Sequence, residues 1–145
     1  FPAGVGSFHP PGSLVALGRL KKQCNVYASA VRYLPVGVKI KEALARSHKA
    51  GVTIAFGTDM GVGPHGQNAR EFGFMVEAGM RSREAIKAAT VNAAKLLDLS
   101  DEVGTIASGK SADVIAVDSS PLDDVSVLQR VAFVMARGDV YLGVS

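Results

Sequence analysis

Five residues, "VTIAF" at Val52–Phe56, leave the chain little choice of architecture. The run is rich in β-branched and aromatic side chains and shows no polar alternation, which is the pattern of a strand covered on both faces. Immediately before it, residues 36–50 ("VGVKIKEALARSHKA") place Val36, Ile40, Ala43 and Leu44 on one helical stripe, opposite Lys39, Lys41 and Arg46. Pro35 precedes the stripe where a first-turn proline is tolerated, and Gly51 follows where helices stop. A helix feeding through a short link into a doubly buried strand is half of a β/α unit, so the sequence predicts an α/β fold with a parallel sheet.

The loop after the strand is chemically distinct. "GTDMGVGPHG" sets a single carboxylate, Asp59, among Gly57, Gly61, Gly63 and Gly66, with His65 near the end of the loop. In barrels and open α/β sheets, reactive groups project from the carboxyl ends of parallel strands into a crevice formed by the loops. An ionised Asp there can accept a proton, ligate a metal or hold a cation. The plainer reading is an Asx turn capping the strand exit. His65 is either a surface polar group or a group that contacts substrate or relays a proton. Asn68 is read as the N-cap of a helix over 68–78 that ends at Gly79. Arg70 and Glu71, in that helix's first turn, either reach the Asp59 crevice or form an exposed ion pair of well under about 1 kcal/mol.

Further along, Ser82 is read as the cap of one continuous helix, "REAIKAATVNAAKLLDL", with Ile86, Ala89, Ala93, Leu96 and Leu97 on one face. Its alanines allow close approach to a neighbour. Near residue 99 the pattern changes to short β-rich runs at Val114–Val117, Val131–Met135 and Val140–Leu142, the last two joined by Arg137-Gly138-Asp139 as a hairpin. Three segments result: 1–35, Gly/Pro-rich and unplaced; 36–98, helix and strand units with the loop; and 99–145, β-rich. The opening segment reads as part of something larger, and "NVYASAVRY" within it as a further strand and loop.

Composition removes several functional classes. The chain has 145 residues, 48% hydrophobic and 20% charged, so it is neither a disordered nor a fibrous protein. No apolar run reaches the roughly 18–20 residues of a membrane helix. The net charge of +3 is scattered over helix faces without an aromatic platform, which argues against nucleic acid. Cys24 is the only cysteine and cannot form a disulfide framework, which fits a reducing compartment. It is read as a structural thiol. His9, His48 and His65 fall in neither an H-x-H nor an H-E-x-x-H pattern, so the chain cannot assemble a first-row metal site by itself.

Taken together, three segments resemble the carboxyl-terminal part of the amidohydrolase superfamily, metal-dependent hydrolases built on a (β/α)8 barrel. "AGVTIAFGTD" resembles the eighth barrel strand with its terminal aspartate. "SREAIKAATVNAAKLLDL" resembles the helix after it. "VGTIASGKSADVIAVDSSPLDDV" resembles the return to a small β-sandwich subdomain. The loop "GTDMGVGPHGQNAREF" is most similar to the branch containing prolidase-like and Xaa-Arg/Lys-type dipeptidases and imidazolonepropionase-related enzymes.

The resemblance implies a set of expectations. Asp59 is a ligand to a divalent metal, zinc by family habit, and a proton shuttle for a water that attacks an amide carbon. His65, Asn68 and Arg70 are expected to contact a small peptide-like or cyclic amide. The family's H-x-H, its bridging carbamylated lysine and its remaining histidines would precede residue 36 and are not present. The chain is therefore expected to be a fragment that binds no metal tightly and is inactive alone. The single thiol and family habit together imply a cytoplasmic protein. The competing reading is a non-catalytic α/β interaction module that forms a homo-oligomer or pairs with a partner chain.

Overall fold

The computed structural model describes residues 23–25, 34–58 and 66–143. Asp59, His65 and His9 lie outside the described residues, as does all of "NVYASAVRY" but Asn25. Strand β1 (Gln23–Asn25) is followed by helix α1 (Leu34–Lys49) and strand β2 (Thr53–Ala55). Helices α2 (Arg70–Glu77), α3 (Ser82–Ala89) and α4 (Val91–Leu96) come next. Strand β3 (Val114–Val117), a 3-10 turn (Val125–Gln129), and strands β4 (Val131–Ala136) and β5 (Asp139–Leu142) complete the order.

β1 and β2 run parallel, with Gln23 opposite Thr53 and Asn25 opposite Ala55, and α1 is the crossover between them. The expected β/α unit is therefore present. α1 starts at Leu34 with Pro35 in its first turn and ends with Arg46, His48 and Lys49 at its negative end. Gly51, at φ 74°, terminates it in the left-handed region.

The core is a cluster of small and medium side chains around β2. Leu44 of α1 (2% exposed), Ile54, Met75, Met80 and the fully enclosed Ala85 and Ala88 of α3 form it. Phe56 stacks on Phe72 with ring centroids 4.6 Å apart, joining the strand exit to α2. Because the α3 face toward β2 is alanine, the two backbones touch: Phe56 N–H donates to the Ala88 carbonyl at 2.9 Å.

Two local expectations are corrected. The run from Ser82 to Leu99 is not one helix but two, broken at Thr90 (φ −122°, ψ −91°), whose hydroxyl donates to the Ile86 carbonyl. The break leaves the Ala88 carbonyl facing Phe56, and the Asn92 side chain donates to the Ile54 carbonyl at 2.8 Å. Long-range bonds to β2 outweigh the local helical pattern. The residue capping α3 is Arg81 rather than Ser82: the Glu84 carboxylate accepts from Arg81 N at 2.9 Å and from its guanidinium at 2.7 Å.

The β-rich segment forms a three-stranded antiparallel sheet in the order β3-β4-β5. The expected hairpin is present, turning through Arg137 (φ 51°) and Gly138 (φ 90°), as a two-residue turn of positive φ requires. Asp113 pins it, accepting from Arg137 N at 2.7 Å, while Gly138 N donates to the Ala112 carbonyl. The "GKSAD" motif is thus structural here, and its Lys110 ammonium donates to the Ser100 carbonyl.

Gly104 makes the close contact between this connection and α4. Its φ is 94°, and a Cβ there would sit 2.8 Å from Ala94 Cβ. Gly104→Ala is expected to destabilise the chain by about 2 kcal/mol, from strain and overpacking combined. Urea denaturation monitored by circular dichroism measures it; a midpoint unchanged from the parent would show that the contact yields without cost.

Candidate functional site

The site is built where β2 ends. After Ala55 the chain passes through Phe56, Gly57 and Thr58, and Asp59 is the next residue in sequence. Asn68 Nδ2 donates to Thr58 Oγ1 at 3.2 Å, so the two ends of the intervening loop are tied together across ten positions. Asn68 is not the cap of α2, contrary to the sequence reading. The cap position is Ala69, with no side-chain bond to the helix, and the Asn68 amide is engaged by the strand exit instead.

Arg70 opens α2 and remains exposed, its guanidinium donating to Gln67 Oε1 at 3.1 Å. Glu71 differs from its neighbour. At 4% exposure it is the buried charged residue among the described positions, whereas Arg70 is exposed. A carboxylate buried in the first turn of a helix is favoured by the helix dipole. The signal for it in sequence is weak, because helical spacing alone cannot distinguish a buried first-turn Glu from a solvated one.

The structure thus brings Thr58, Asn68, Gln67 and Arg70 to the mouth of the loop that carries Asp59 and His65. Among the described residues, no three His, Cys, Asp or Glu side chains are grouped to hold a metal ion. The described residues do not by themselves fit one.

The opposite end of β2 is structural. His48 Nε2 lies 3.3 Å from Glu84 Oε2, linking the end of α1 to the start of α3 beside Thr53, Lys87 and Asn92. The Arg81 side chain, then the Arg81 backbone N–H, and last His48, hold the Glu84 carboxyl down at about 2. His48 belongs to this clasp and not to the loop crevice. Conservative packing chemistry at the amino-terminal end of parallel strands is the ordinary arrangement for stability.

With the geometry in place, similarity to known proteins defines the class. Residues 9–141 match the amidohydrolase family, and the chain belongs to it. More particularly, it is 43% identical over 115 residues to an ochratoxinase of Aspergillus niger, spanning 70% of this chain and 24% of that protein. It is 39% identical over 77 residues to an imidazolonepropionase of Caldanaerobacter subterraneus subsp. tengcongensis, spanning 50% of this chain and 18% of that one. A solved Xaa-Pro dipeptidase with bound methionine in its active site superposes with a TM-score of 0.73 and 48% identity, over 75% of this chain and 27% of the dipeptidase. The matched part of the chain therefore spans between 18% and 27% of the length of these relatives. The prolidase-like and imidazolonepropionase-like resemblance holds, and the solved relatives are amidohydrolases of larger fold.

Two outcomes test the elements that position the site. Asn92→Ala leaves the buried Ile54 carbonyl without its side-chain donor and is expected to cost about 1–3 kcal/mol in chemical denaturation. An unchanged midpoint would show that Asn92 does not hold β2. The Glu84 clasp sets an acid dependence: with its pKa lowered from about 4.5 to about 2, its stabilisation is full above about 4.5 and lost as pH falls toward 2. Glu84→Gln is expected to remove that part of the acid-unfolding profile, read by circular dichroism between pH 5 and pH 2, and an identical profile in the variant would refute it.

Proposed function

We propose that this chain is the carboxyl-terminal portion of a metal-dependent hydrolase that cleaves C–N bonds in small peptide-like or cyclic amides. The observation that carries the reading is the family match running through a parallel strand whose exit leads, one residue past the Thr58–Asn68 bond, into Asp59. Relatives named as a Xaa-Pro dipeptidase and an imidazolonepropionase point to compact amide-like substrates. The reading as a stand-alone interaction module has less support, because the family match includes the loop as well as the framework.

Asp59 is assigned two roles in the complete enzyme: one ligand to a divalent cation, zinc by family habit, and the carrier of a proton to the leaving amine. A bound cation of this kind would supply an acidified water, its pKa lowered to about 7. The rest belongs to this chain's own residues. A carboxylate at a strand end is held more firmly than one on a free loop, and proton transfer by a positioned acid or base contributes about 10²–10⁴ in rate. The Thr58–Asn68 bond fixes the base of the loop. His65, Asn68 and Arg70 line its far side in sequence and are assigned to substrate, Arg70 as the cation for a substrate carboxylate.

The chain holds no H-x-H, and one carboxylate does not bind zinc tightly, so the purified chain is expected to lose zinc on dialysis and to hydrolyse no dipeptide. Joined to a polypeptide bearing the family's other ligands, it is expected to support zinc-dependent hydrolysis that Asp59→Asn lowers by about 10² or more. Turnover by the 145-residue chain alone would sink the ligand account. Full activity of Asp59→Asn in the joined enzyme would sink the role of Asp59.

A further inference from the structure

Glu71 stands where packing calls for an apolar side chain. It shares one face of α2 with Met75, one turn on, and with Ala78 at the helix end, and all three are buried. Met75 and Ala78 belong to the core around Ile54, whereas Glu71 lies one turn nearer the start of the helix. That end of α2 meets the β2 exit. Asn68, three positions before Glu71, donates to Thr58, and Phe72, the next residue, stacks on Phe56. Contacts that grip residues 56–58 thus flank Glu71 on both sides.

An enclosed carboxylate persists only where donors or cations answer it, and Glu71 is not without a partner. Basic side chains on α2 and the adjoining helices serve other acceptors: Arg70 donates to Gln67, Lys41 to Glu77 and Arg81 to Glu84. The helix dipole favours a negative charge in the first turn. It favours an exposed acid there as readily as a buried one, so it does not account for the burial.

We infer that Glu71 is a positioning residue: its carboxylate braces the first turn of α2 against the β2 exit and, through Asn68 and Thr58, fixes the direction in which the chain presents Asp59. The consequence for Asp59 rests on the hydrolase reading above, whereas the brace rests on the burial of Glu71 and the contacts beside it. A brace depends on the reach of the side chain. A dipole partner depends on its charge.

Two substitutions separate reach from charge. Glu71→Asp keeps the charge and withdraws the oxygens by one methylene. Glu71→Gln keeps the length and an acceptor oxygen and removes the charge. Neither enlarges the side chain, so both variants should keep the parent's circular dichroism. Backbone order parameters from NMR relaxation of the 145-residue chain read the brace directly. Glu71→Asp is expected to lower them at Gly57, Thr58 and Asn68 from about 0.85 to about 0.6 or below, with α3 and β4 unchanged. Glu71→Gln is expected to stay near the parent. In the joined enzyme Glu71→Asp is expected to lower kcat tenfold or more with little change in KM, because misplacing a reacting group by about 1 Å can cost about 10²-fold. Glu71→Gln is expected to recover most of that loss. Parent-like order parameters in the Asp variant would overturn the inference. So would a loss in the Gln variant as large as in the Asp variant, which would return Glu71 to a charge at a helix start, or an unchanged kcat in an active joined enzyme carrying Glu71→Asp. A joined enzyme that hydrolyses nothing even with the unsubstituted chain would refute the hydrolase reading instead, and the order parameters alone would then decide the brace.

Discussion

Backbone contact between β2 and α3 sets the spacing for every other layer. Ala85 and Ala88 have no exposed surface, and Phe56 N–H meets the Ala88 carbonyl directly. Helix geometry would normally commit that carbonyl to the amide four residues on. The break at Thr90 frees it, the Thr90 hydroxyl engages Ile86 instead, and Asn92 reaches back to Ile54. Two bonds to residues 54 and 56, which lie on the same strand edge by the period of two, lock the direction in which the strand leaves the core. Phe56 stacking on Phe72 then carries that direction into α2. The loop with Asp59 starts from a backbone held on one side by helices and at its base by Asn68.

The strand itself was readable from composition, because five residues without alternation have few ways to be satisfied other than burial. So were the alanine face and the Arg137-Gly138 hairpin, whose positive φ values demand residues that tolerate them. The helix break was not. Thr and Val at positions 90 and 91 are only slightly unfavourable in a helix, and what tips the balance is a pair of acceptor and donor groups on β2, more than thirty positions away in sequence. Asn68 is not the cap because the helix begins at Arg70, which puts Ala69 at the cap position, and the Asn68 side chain turns to the Thr58 hydroxyl, which no local window contains. Arg81 took the cap position from Ser82 because Glu84 binds both its amide and its guanidinium. Local propensities amount to tenths of a kcal/mol, and one well-placed long-range bond exceeds them.

Family resemblance contributed what local reasoning could not. Position and residue type leave Asp59 open to chemistry but favour an Asx turn, and the proposal of a chemical role comes from three motifs in order along the chain, a pattern that the match over residues 9–141 bears out at the level of the family. The same match clarifies the β-rich end. Its strands are apolar on both faces, and the ochratoxinase it matches is about three times as long as this chain.

The acids of this chain separate by what surrounds them. Glu84 is held down by Arg81, Asp113 by the Arg137 amide and the Ser111 hydroxyl, and Asp124 by the hydroxyl and amide of Ser126. In each case donors fixed by the fold consume the carboxylate's acceptor capacity, which is how an acid stabilises a turn or a helix start. An acid so engaged has little left to offer a cation or a travelling proton. Asp113 illustrates the point most clearly: it stands in a recurrent motif next to a strand, as Asp59 does, yet its work is to hold a hairpin. A role in chemistry therefore requires the opposite arrangement, a strand exit stiffened by neighbours that leave the carboxylate itself unspent. At the β2 exit that stiffening is supplied by Asn68 donating to Thr58, Asn92 to Ile54 and Phe56 to Ala88.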